Sequence, residues 1–75
     1  MTLQQLQYLV ALAESNSINQ AAQNLFVSQS GISKAIKQLE SELGFPLLER
    51  SSRGITFTSR GTEFLHDAYR LIKEF

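Results

Sequence analysis

Ser30, Lys34, Lys37 and Ser41 share one side of a single segment, which makes that segment the place where this chain could do chemistry. At about 100° per residue, Ile32, Ile36, Leu39 and Leu43 stack into an apolar stripe. With that stripe at zero, the two serines and two lysines fall at roughly 140–200°, and Ser33 near 100°. No apolar or acidic residue interrupts the polar face, because Glu40 and Glu42 lie about 80° to either side of the stripe. Ammonium groups are suited to phosphate, while hydroxyls and the neighbouring Gln29 carboxamide can donate and accept at base edges. A helix apolar behind and cationic in front reads as one that enters DNA.

Catalysis has little to stand on. His66 is the sole histidine, and Asp67 points about 100° away from it on the same helix, so they cannot form a local dyad. No glycine-rich phosphate loop follows a strand, and one histidine without cysteine is too few ligands for a zinc site. The absence of cysteine also removes disulfides and thiolate nucleophiles.

The elements that must hold the polar face follow from caps and periodicity. Thr2 and Gln5 form a capping-box pair opening a first helix, whose inward face is Leu3, Leu6, Leu9, Val10, Leu12 and Ala13. Ser17 and Gln20 repeat that signature for a shorter helix to about Leu25, with Ile18, Ala21, Ala22 and Leu25 inward. The alanines admit a closely crossing helix, and Ala22 is the expected crossing point. Phe26 and Val27 form an apolar turn. Ser28 caps the third helix, and Gly44 stops it.

Beyond Gly44 the period becomes strand-like. Pro46 blocks further helix, and residues 47–50 and 55–58 flank a turn at 51–54, giving a short hairpin with Arg53 at its tip. Two strands alone are not stable in water, so the hairpin must lie on the helices. Thr58 or Ser59 caps a last helix in which Phe64, Ala68, Leu71 and Phe75 recur with heptad-like spacing. That stripe could be ordinary core but fits two-chain packing better. The chain stops inside the pattern, from which the natural polypeptide is expected to continue.

Seventy-five residues make one small domain, which buries only about 60% of the surface its unfolded chain exposes. At 43% hydrophobic, it has material for one core if several elements, or a second subunit, share it. No apolar run approaches the ~18 residues of a membrane span, and no signal peptide is present, so the cytoplasm is expected. The net charge is zero, where nucleic-acid binders are usually basic. The placement of the charges matters more than their sum. Residues 28–60 carry Lys34, Lys37, Arg50, Arg53 and Arg60 against Glu40, Glu42 and Glu49, whereas the flanking segments are each slightly acidic. Local phosphate binding is compatible with this balance, and long-range steering should be weak.

The motifs Leu3-x-x-Leu6-x-Tyr8, Ala21-Ala22-x-x-Leu25, Ser28-Gln29-Ser30-Gly31-Ile32-Ser33, Ile36-x-x-Leu39-Glu40-x-x-Leu43-Gly44, Pro46-Leu47-Leu48-Glu49-Arg50-x-x-Arg53 and Thr58-x-x-Gly61 span nearly the whole chain. Together they resemble the DNA-binding domain of LysR-type bacterial transcriptional regulators. Departures are mild: many members have proline where this chain has Ser30 and alanine where it has Arg60. The resemblance implies a mainly α winged helix-turn-helix, with a three-helix core, a two-stranded wing and a long C-terminal linker helix. Residues 1–58 would be the DNA-binding domain, with the helix-turn-helix at about 18–37. Residues 59–75 would be a truncated dimerisation helix.

With wheel position, the resemblance favours Gln29, Ser30, Ser33 and Lys34 at base edges of the major groove. Ser28 is first a cap, whose helix start can also present amides to phosphate. Lys37, one turn beyond Ser33, is expected to reach phosphate. Arg53 is similar to the family's wing residue near the minor groove, and Thr58 to a backbone-contacting position that is already explained as a cap. Arg50, at a strand end, suits DNA contact and an internal ion pair equally.

The implied partners are double-stranded DNA with an imperfect palindromic operator and a second copy through Phe64, Ala68, Leu71 and Phe75, with higher oligomers open to the full-length protein. No membrane partner and no cofactor in this domain are implied. A small-molecule effector would act through a C-terminal domain absent from this chain, and the setting would be the bacterial nucleoid. The rival is a winged-helix protein-interaction module without specific DNA binding.

Overall fold

Caps set every helix start that the sequence marks. In the computed structural model, which describes residues 1–15, 17–51 and 54–74, the Thr2 hydroxyl accepts from Gln5 N at 3.1 Å. The Gln5 carboxamide accepts from Thr2 N at 3.0 Å in return. Helix α1 (Leu3–Ser15) follows. Ser17 caps α2 (Ile18–Leu25) through Gln20 N, but the Gln20 side chain turns along the helix to Asn24, so the second capping box is only half formed. Ser28 caps α3 (Gln29–Leu43), and Gly44, at φ 83°, ends it in the left-handed region that glycine adopts without strain.

The antiparallel wing comprises β1 (Leu48–Ser51) and β2 (Gly54–Phe57), paired Leu48 with Phe57 at the base and Ser51 with Gly54 toward the tip. Both strands sit one residue from the expected spans: Leu47 is core rather than strand, and Thr58 caps α4 (Ser59–Lys73) rather than ending β2. Arg53 lies outside the described residues, as does Phe75.

One core joins all four helices to the wing. Leu9, Ile32, Leu39 and Leu47 are completely enclosed, each contributing about 1.5–3 kcal/mol of apolar burial. Ala21 and Ala22 are both buried, Ala21 with no exposure at all.

The turn expected at Phe26 and Val27 forms, with Phe26 on its outside: this residue closes α2 at φ 59°, ψ 41° with its amide on the Ala22 and Gln23 carbonyls and is 95% exposed, while Val27 packs on the core. One expectation for α4 is corrected: Ala68 is not an open seam residue, because it is wholly buried within its own chain. Only Phe64 and Leu71 of the described stripe keep partial exposure.

The root of α4 is fixed by Leu47. Its carbonyl accepts from Thr58 N at 3.0 Å, and a Cβ at Gly61 would stand 2.2 Å from that same oxygen. Further along, desolvation and the Glu14 carboxylate of α1 raise the Tyr69 pKa above its ordinary value of 10.0. The folded state therefore holds the phenol proton more tightly than the unfolded state, so this stabilisation is complete below about pH 10 and is lost as pH rises through the raised value.

Gly61→Ala must displace backbone, and a loss of about 1–3 kcal/mol is expected, seen as a fall in Tm; an unchanged thermal melt would contradict the close approach. Tyr69→Phe should flatten the decline of stability above pH 10, measured by urea unfolding at neutral and alkaline pH.

Candidate nucleic-acid interface

Helix α3 buries Ile32, Ala35, Ile36 and Leu39 and turns Ser30, Lys34, Lys37 and Ser41 to solvent, with Ser33 half-buried at the border. The apolar stripe is thus the hidden face and the lysines the open one. The acids are engaged to the side. Glu40 accepts from Leu47 N at 2.7 Å and Leu48 N at 3.3 Å, and Glu42 pairs with the N-terminal ammonium. Among the described residues the ion pairs are Met1 with Glu42 and Asp67 with Arg70, so Lys34, Lys37 and Arg50 keep their charges uncompensated.

At the start of α3, the Ser28 hydroxyl accepts from Gly31 N at 3.0 Å and lies 3.3 Å from the Ser30 hydroxyl. Gln29 is exposed, and its amide donates to Asn19 of α2 at 2.9 Å. Sequence reasoning missed Asn19; its polar character two residues after a cap is the only signal that could have flagged it.

Arg50 pairs with Ile55 in the wing ladder and is exposed. It lines a groove with Ser33 and Lys37 between α3 and the wing, floored by Ile32, Ile36 and Ile55. The internal ion pair considered for Arg50 does not form among the described residues. A cationic band therefore runs from Lys34 through Lys37 to Arg50.

Thr58 is elsewhere. Its hydroxyl donates to Pro46 O at 2.8 Å and accepts from Gly61 N at 2.8 Å, at the base of the wing. Arg60 also turns away from the band, with its guanidinium 4.0 Å over the Phe45 ring. The start of α3 with the band can meet base edges and phosphates together, whereas Thr58 is taken up by structural duty.

A family model described as bacterial regulatory helix-turn-helix protein, lysR family, matches residues 3–62. The HTH-type transcriptional regulator ClcR of Pseudomonas putida is 46% identical over 72 residues, covering 96% of this chain and 24% of that protein. Among solved structures, the CbnR_DBD-DNA complex superposes with a TM-score of 0.93 at 45% identity, covering 97% of this chain and 84% of that one. The BenM_DBD/benA site 1 DNA complex superposes with a TM-score of 0.91 at 40% identity, covering 99% and 86%. The chain spans about a quarter of the length of the curated relatives it matches.

Lys37→Ala and Arg50→Ala should each weaken binding to every duplex nearly equally and lower the slope of log affinity against log salt by about one unit. Fluorescence anisotropy across a salt series measures this, and parallel slopes would remove either residue from the interface.

Proposed function

The chain belongs to the lysR family of bacterial regulatory helix-turn-helix proteins, and from that premise we propose that it binds double-stranded DNA sequence-specifically as the reading unit of a transcriptional regulator. The observation that carries this reading is the uncompensated cationic face of α3, opposite an apolar one whose Ile32, Ile36 and Leu39 are buried. Gln29, Ser30, Ser33 and Lys34 meet base edges in the major groove, because the beginning of a recognition helix is the part that reaches the bases. Lys37 and Arg50 hold phosphates, with the amides of the Ser28-capped helix start beside them. The wing serves the neighbouring groove.

Similar domains of CbnR and BenM have been solved in complex with DNA, which supports this reading over a module working by protein contact alone. Phe64 and Leu71, half-buried on α4, form the root of a homodimer contact. Two-fold pairing sets the recognition helices about one DNA turn apart or a multiple of it and calls for an imperfect palindrome. Effector sensing, higher assembly and the choice between activation and repression belong to the three quarters of the relatives' length outside this chain. No described helix is long and apolar enough to cross a membrane, and we place the regulator in the bacterial cytoplasm, on the nucleoid.

Selection of bound duplexes from a random pool should converge on a sequence with half-site symmetry; a pool that stays random sinks the reading. On the selected duplex, Gln29→Ala should narrow the gap to nonspecific DNA by about 1–3 kcal/mol while the melt is unchanged.

A further inference from the structure

The Gln29 carboxamide is not free to turn. Its Nε2 donates to Asn19 Oδ1 at 2.9 Å, a bond that joins the first turn of α2 to the first residue of α3, with both side chains exposed. A free glutamine can present either end of its amide, and so can meet an amino group with its oxygen or a keto group with its nitrogen. With one Nε2 hydrogen given to Asn19, the amide is oriented: Oε1 stays open as an acceptor, and the second Nε2 hydrogen remains a donor beside it. The bond uses one lone pair of Asn19 Oδ1 and leaves Nδ2 of that residue as a donor, the polarity suited to a phosphate.

We propose that Asn19 is a specificity-determining positioning residue, which holds the Gln29 carboxamide so that its Oε1 faces the major groove and selects a base bearing an exocyclic amino group, adenine or cytosine. This inference rests on the reading of the chain as a DNA-binding domain, and deepens it by assigning the base class at one position and the residue that sets it. Guanine O6 and thymine O4 are acceptors and meet an acceptor unfavourably. Removing Asn19 lets the amide rotate by half a turn and offer donors to those bases, so discrimination falls although Gln29 is still present.

The test is pool selection followed by competition binding for the native chain, Asn19→Ala, Asn19→Asp, Gln29→Ala and the Asn19→Ala/Gln29→Ala double variant, each checked by thermal melt. The native chain should prefer adenine or cytosine over guanine or thymine at one half-site position by about tenfold, the low end of what a base contact gives. Asn19→Ala should lose that preference. Asn19→Asp keeps an acceptor for Gln29 Nε2, so it should retain the preference while binding all duplexes more weakly through phosphate repulsion. In the Gln29→Ala background, removal of Asn19 should change base preference no further. A native selection without any preferred sequence overturns the DNA-reading function and the inference with it. A preferred sequence that Asn19→Ala leaves unaltered overturns the inference alone. So does an Asn19→Ala effect of equal size with or without Gln29, since Asn19 would then touch the base itself.

Discussion

The carboxylate of Glu40 joins α3 to the wing. It accepts from the backbone amides of Leu47 and Leu48, and so fixes the entry of the wing against the fourth turn of α3. Charge-assisted hydrogen bonds of this kind are roughly twice as strong as neutral ones. The Leu47 side chain is fully enclosed beside them, and its carbonyl receives Thr58 N before the chain enters α4. Gly61 then allows the first turn of α4 to lie on that carbonyl. Helix α3, the wing and α4 therefore converge on one residue, Leu47.

A chain with no net charge can still present a cationic surface, and the way it does so is local. Glu40 spends its charge on backbone amides, Glu42 on the N-terminal ammonium, and Asp67 on Arg70. Glu14 acts on the Tyr69 phenol, holding its proton. The bases on the outer face of α3 and on the wing are left without such partners among the described residues. Net charge governs approach from a distance, whereas contact depends on which charges are already answered inside the fold.

Much of the architecture was legible because the signals were short-range. Thr2 with Gln5, Ser17, Ser28, Gly44 and Thr58 mark helix ends through bonds spanning three or four residues, and the Ile32, Ile36, Leu39 and Leu43 stripe needs only the helical period. What escaped depends on distant partners. The position of Leu47 is set by Glu40, seven residues away, so periodicity assigned it to a strand. Ala68 fits a heptad on paper, but in space it is enclosed in the core of its own chain. The bond from Gln29 to Asn19 crosses between two helices and has no signature in spacing.

The terminal helix is clasped at three levels: Gly61 on the wing root, Ala68 in the core and Tyr69 against α1. A rod gripped over that much of its length behaves as a boom and not as a tether. Through the shared core the direction of α4 is fixed relative to that of α3, so the two helices hold one mutual orientation.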